Sequence, residues 1–197
     1  MKIEELKQKG NVTVTEMKNG CVKVSADKGF ILRGGDTYTS EIYCAKDAEL
    51  QDYEVVAYSD YLRAENKKKY EGKTLEEAKE MLLAEIDAYD KSSAVNGFVL
   101  NGAVVWLDKA TRVGLMNSTT IAKAAGKQTT TLWLGGLKLV VDCDKAIQLL
   151  SALEMYALEC FNVTASHKQA VSELTTIEEV EAYDYKAGYP KMLEMSI

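Results

Sequence analysis

The sequence predicts an α+β fold, with a small β-rich N-terminal domain followed by a domain of two β-hairpin/helix units packed on one long helix. Three observations predict it. Along residues 142–174, small and apolar residues recur at alternating spacings of three and four, through Cys143, Ala146, Leu150, Leu153, Ala157, Cys160, Thr164, His167, Val171 and Leu174. That spacing lays them on one face of a helix, and no charge falls on the stripe. A strand, two-residue turn, strand and aspartate then occur twice, around Asn101-Gly102 with Asp108 and around Gly135-Gly136 with Asp142. Finally, residues 1–63 alternate in short runs of β-branched and aromatic residues.

A chain of 197 residues that is 47% hydrophobic can bury a real core in one domain, or in a main domain with a smaller one. Its net charge of −6 disfavours phosphate backbones. The only basic run, Lys67-Lys68-Lys69, reads as a solvated linker or helix end, so no nucleic-acid partner is expected. Residues 1–10 hold no apolar signal-peptide core, and no stretch approaches the roughly 18 apolar residues of a membrane span. A cytoplasmic product without a membrane partner is therefore expected. Cys21, Cys44, Cys143 and Cys160 form no Cys-x-x-Cys pair, and the last two stand about 25 Å apart on one helix. Reduced, mostly buried cysteines follow.

In chain order, residues 12–14 and 21–25 alternate as half-buried strands around Asn19-Gly20, a favoured hairpin turn. Further strands are expected at 30–32, 37–44 and 53–58, in one sheet of four or five, with a β-turn at Arg33-Gly34-Gly35-Asp36. Residues 58–69 lose the alternation and gain charge, which puts a boundary between about Leu62 and Lys73 and the two domains at 1–65 and 74–197. Thr74 and Glu77 form a capping box, opening a helix with Leu75, Ala78, Leu82, Ile86 and Tyr89 inward and a stop near Asp90. After the first hairpin and Asp108, a helix runs from about Lys109 to Ala125 with Val113, Met116, Thr120 and Ala124 inward and Gly126 as its stop. The two hairpins pack together, as one four-stranded sheet covered by helices. Thr176 and Glu179 make a second capping box for a short helix to about Ala182. The tail that follows is polar enough to be exposed and aromatic enough to bind, making Tyr183, Tyr185 and Tyr189 candidate partner-binding residues. The stronger expectation is a tail docked on the core through its rings.

The search for chemistry finds no catalytic set. The one histidine, His167, sits on the helical stripe, where a hydrogen-bonded core imidazole is the favoured reading over a base or ligand. One His and four scattered Cys give no metal-ligand spacing, and neither metal nor cofactor is expected. Gly72-Lys73-Thr74 lacks the earlier glycine and the strand of a phosphate loop. Paired carboxylates at Glu76-Glu77 and Glu178-Glu179 sit in first helical turns, where the helix dipole explains them. Asp108 either pairs with Arg112 four residues on or fixes the start of its helix.

Residues from Glu76 to the end carry a wider pattern. Asp87-Ala-Tyr-Asp90, Val95-Asn-Gly-Phe98, Val105-Trp-Leu-Asp-Lys-Ala-Thr-Arg112, Leu132-Trp-Leu134, Leu153-Glu-Met-Tyr156, Thr164-Ala-Ser-His167 and Tyr183-Asp-Tyr-Lys-Ala-Gly-Tyr-Pro190 resemble a domain of unknown function found in tailed-bacteriophage and prophage proteins of gut bacteria. The resemblance implies a setting and no reaction. It points to a non-enzymatic structural or tail/tail-fibre assembly protein, with phage tail or tail-fibre proteins as expected partners. Such a protein is made in the host cytoplasm, whether or not it then enters the virion. Trp106, Asp108, Arg112, Trp133, Tyr156 and His167 form its structural signature, with packing and capping favoured over a shared ligand site. The alternative is a small ligand-binding protein or enzyme with a pocket near His167 and Cys160, Glu159 beside them. Apart from the resemblance, the long seam of residues 142–174 can pair with a copy of itself as readily as with its own sheet, which leaves a homo-oligomer open under either reading. Exposed aromatic edges for a partner are expected at Tyr38, Tyr43, Tyr185 and Tyr189.

Overall fold

The computed structural model describes residues 3–50 and 53–196. The fold is α+β, and the chain divides into two compact units, Met1–Ala78 with Thr175–Asp184 and Lys79–Leu174 with Tyr185–Ile197. A change of domain at 65–74 was expected from composition. The first unit instead keeps that stretch, because residues 58–70 are helical, and it takes back a segment from near the C-terminus.

The first unit opens with helix α1 (Ile3–Lys9), which buries Ile3 and Leu6 and carries too few apolar positions to announce itself. Strands β1 (Val12–Glu16) and β2 (Cys21–Ala26) form the first hairpin. Met17 N–H bonds Cys21 O at 2.9 Å, so the loop is the three residues 18–20 with Gly20 at φ 79°, one residue longer than the expected Asn-Gly turn. Strand β3 (Phe30–Gly34) turns through Gly35-Asp36 into β4 (Thr37–Thr39). The single strand expected over 37–44 breaks at Ser40, where the Thr39 hydroxyl bonds both the N–H and the C=O of Glu41. The chain therefore leaves β3, and β5 (Glu41–Ala45) joins β2. With β6 (Tyr53–Ala57) the result is two three-stranded antiparallel sheets, β1-β2-β5 and β4-β3-β6, in place of one. Val22, Val24, Leu32 and Leu50 bury with α1 between them. Gly34 is required by a neighbour: a Cβ there would lie 2.6 Å from the Tyr53 ring.

Helix α2 (Tyr58–Tyr70) follows directly and ends on Lys67, Lys68 and Lys69, where cations suit the helix dipole. It is joined by α6 (Ile177–Glu181), whose capping box at Thr176 and Glu179 forms as expected, and Asn66 Nδ2–H donates to Glu181 O at 2.8 Å.

Helix α3 (Leu75–Asp90) starts at the Thr74–Glu77 capping box and buries Ala78, Leu82 and Ile86. In the second unit, β7 (Gly97–Leu100) and β8 (Ala103–Trp106) form a hairpin whose turn residues Asn101 and Gly102 both have positive φ, a type I′ turn. Asp108 caps α4 (Lys109–Ala124). Strands β9 (Thr129–Leu134) and β10 (Leu137–Asp142) repeat the arrangement around Gly135-Gly136, and Asp142 caps α5 (Cys143–Glu173). Both hairpin–cap–helix units are thus present. They do not merge into a four-stranded sheet: β9 and β10 stay a ribbon of two, and β7 pairs instead with β11 (Leu193–Met195), a parallel strand that gives the order β11-β7-β8. Phe98, Leu100 and Val105 of one hairpin meet Leu132, Leu134 and Val141 of the other over Ala146, Leu150 and Leu153 of α5. The α5 stripe is buried as far as Thr164 and again at Val171, joined by Leu149 and Tyr156, while His167 and Leu174 are half-buried.

The inward face of α4 differs from the expected one. Arg112 and Thr119 are buried with Leu115 and Met116 beside them, whereas Val113, Thr120 and Ala124 are exposed. Packing against α5 turns the helix so that its only long buried polar group reaches a carboxylate there. Helix α3 runs antiparallel to α5, tied by Lys79 to Ser172 O, by the Lys168–Asp87 ion pair and by Thr164 donating to Asp90.

Candidate functional site

Four elements of the second unit border one open cleft of about 600 Å³: the C-terminal end of α3, the end of β8, the first turn of α4 and the middle of α5. Asp108, two residues past the end of β8, starts the helix. Its carboxylate accepts from Thr111 N–H at 2.8 Å and Thr111 Oγ1–H at 2.6 Å, and these bonds hold it below the usual carboxylate range. Arg112, one turn on, is only 7% exposed. Its Nε donates to Glu154 Oε1 of α5 at 3.0 Å and its Nη1 to Leu107 O at 2.7 Å, using two of the five N–H donors of a guanidinium. Of the two roles open to Asp108, it fills that of the cap, while Arg112 crosses to the neighbouring helix.

Around this fixed pair the lining is mixed. Asp90, Asp108 and Glu154 face Lys91, Lys109 and Arg112, so the charges of the cleft balance. Trp106, Leu158 and Phe161 supply apolar surface at 38%, 50% and 61% exposure. Asn96, at φ 63°, has a buried Oδ1 with no hydrogen-bond partner among the described residues. Among the described residues no nucleophile–base pair lines the cleft, which has apolar flanks over a polar floor whose charges balance.

The second group of expected residues packs elsewhere in the same unit. Tyr89 meets the rings of Tyr185 and Tyr189 edge-on at centroid distances of 5.6 and 5.5 Å. His167 Nε2–H donates to Ala187 O at 2.9 Å and its ring lies beside Tyr189. The Tyr189 hydroxyl meets Thr164 Oγ1 at 2.9 Å, and burial pushes its pKa up. The tail is therefore docked, and Tyr185 and Tyr189 are not the exposed edges expected of them. Tyr183 belongs to the first unit. Of the other aromatic edges, Tyr43 is exposed, while Tyr38 is half-buried on the Tyr61 ring.

Cys160 is buried beside Tyr156, whose phenol is pushed up to about 12 by burial and by that thiol. Neither Cys160 nor His167 lines the cleft. Trp133 stands on the outward face of β9, with Lys138 Nζ 6.0 Å from its ring. The structure thus brings Trp106, Asp108 and Arg112 together and places Tyr156 and His167 in the tyrosine cluster.

Glu154, Leu158 and Phe161 were missed in the sequence, although a signal exists. Met155, Leu158 and Phe161 are apolar yet lie off the buried stripe of α5, at spacings of three, and all three are exposed. Among the described residues no helix is long and apolar enough to cross a membrane.

A family model described as Domain of unknown function (DUF4376) matches residues 77–187, more than half of the chain. No curated protein and no solved structure matches it.

Proposed function

Starting from the membership of this chain in the DUF4376 family, we propose that it is a non-enzymatic protein of a tailed bacteriophage or prophage, acting through protein–protein contacts in the structure or assembly of the tail or tail fibre. The observation that carries the reading is the apolar surface on the second unit, where Trp106, Leu158 and Phe161 flank a charge-balanced cleft and Met155 continues it one turn away. Exposed large apolar side chains gathered in one place mark contact surfaces, and aromatic residues and arginine are the residue types enriched in protein–protein contacts. The resemblance of residues 76–197 to phage proteins supplies the setting: synthesis in the host cytoplasm, then use as a virion component or as an assembly factor.

The test is a pull-down with tagged full-length protein from cells producing the phage, with purified particles examined in parallel. Recovery of tail or fibre proteins supports the reading, and presence in particles separates a virion component from an assembly factor. Leu158→Ser and Phe161→Ser, both at exposed positions, are expected to reduce that recovery at least tenfold while leaving the fold intact. Recovery of no phage protein overturns it. A second reading, a small ligand, shifts from His167 and Cys160 to the Arg112 cleft, because Cys160 is buried and Arg112 still has donors to offer.

A further inference from the structure

Among the described residues, strand β8 pairs with one strand, β7. In β7, Asn101 N–H at the strand's end bonds Met195 O at 3.0 Å, so odd-numbered positions turn toward β11. The type I′ turn makes Leu100 and Ala103 a hydrogen-bonded pair, and Phe98 and Val105 the next. The N–H and C=O groups of Val104 and Trp106 therefore point away from β7, along an edge on which the sheet order ends. Natural sheets protect such an edge with charge, proline or a bulge. Residues 103–106 are Ala-Val-Val-Trp and have none of these. The same two residues also turn their side chains outward, Val104 at 66% exposure and Trp106 at 38%.

We propose that this edge binds a second copy of the chain, β8 pairing antiparallel with its own copy so that Val104 stands opposite the partner's Trp106. With Val105 on the two-fold axis, Val104 and the partner's Trp106 form a hydrogen-bonded pair. Symmetry repeats it, giving four backbone bonds between the strands. A β-branched side chain then faces an indole across the strands, twice, on the outward side of a continuous six-stranded sheet. Self-complementarity selects the copy over another extended segment. In this register Asp108 faces the partner's Gly102 and Lys109 the partner's Asn101, so no like charges oppose. The inference goes beyond the phage reading and stands or falls separately from it.

Sedimentation of the full chain over a wide concentration range is expected to show a species of twice the 21.8 kDa chain mass. Val104→Pro removes an outward N–H without touching a bond to β7, and Val104→Lys puts a charge on the edge. Each should weaken the dimer at least tenfold. Val140→Lys, at an equally exposed position on β10, should leave it unchanged. A Val104→Cys/Trp106→Cys double variant should form disulfide-linked dimers on mild oxidation, since hydrogen-bonded pairs place Cα atoms about 5.5 Å apart. A wild-type chain that stays monomeric at the highest concentration overturns the proposal. So does a dimer that persists in both position-104 variants; circular dichroism verifies that they fold, and Val104→Lys alone decides if the proline variant does not.

Discussion

Arg112 shows how one residue sets the character of the cleft. A guanidinium that is 7% exposed needs partners, and it has the Glu154 carboxylate and the Leu107 carbonyl. Glu154→Ala leaves a buried charge with half its support. Because the Glu154 side chain is itself 35% exposed, the expected loss is about 2 kcal/mol, below the range for a fully buried pair. Replacing both partners, Arg112→Met with Glu154→Leu, should cost less than the sum of the single changes, which a double-mutant cycle of urea melts measures. Additive losses would mean the pair is not coupled. Asp108 was legible in the sequence as a cap because its partners lie three residues away. Glu154 was not, because it lies 42 residues from Arg112 and only the rotation of α4 on α5 joins them.

Helix starts are the elements most open to pH. Glu77, Asp108 and Glu179 each accept hydrogen bonds from the N–H and hydroxyl groups of nearby threonines, and each has its pKa lowered by them. A carboxyl lowered in the folded state stabilises it above the ordinary value of about 4 and loses that contribution as pH falls through the lowered folded value. Helix content and melting temperature should therefore hold from neutral pH to about 5 and fall at lower pH. Glu179→Gln keeps a side chain able to complete the capping box and should flatten part of that acid limb. An unchanged acid profile would remove the cap from the explanation. These caps, both type I′ turns and the length of α5 were visible in the sequence because each depends on neighbours within a turn or two. Strand β11 was not, since a three-residue segment becomes a strand only by lying beside β7.

At the scale of the whole molecule, the C-terminal tail supplies part of the second unit. Residues 185–197 contribute β11, the rings that meet Tyr89, and the Ala187 carbonyl that receives His167. Deleting residues 183–197 should lower the melting temperature by several degrees and expose Tyr89 to solvent, which differential scanning calorimetry and tyrosine fluorescence read directly. A tail serving only as an exposed arm would leave the melt unchanged. Composition and periodicity by themselves determined the α+β class, the long helix, the capping aspartates of α4 and α5 and the repeated hairpin. These follow from hydrogen-bond satisfaction and side-chain spacing along a local stretch of chain. Only the tertiary structure decided that the N-terminal strands split into two sheets at Ser40, that residues 175–184 return to the first unit, and that Arg112 turns inward while Leu158 and Phe161 remain outside. Each of these depends on which distant surface a segment meets, and the free energy of that meeting belongs to both partners at once.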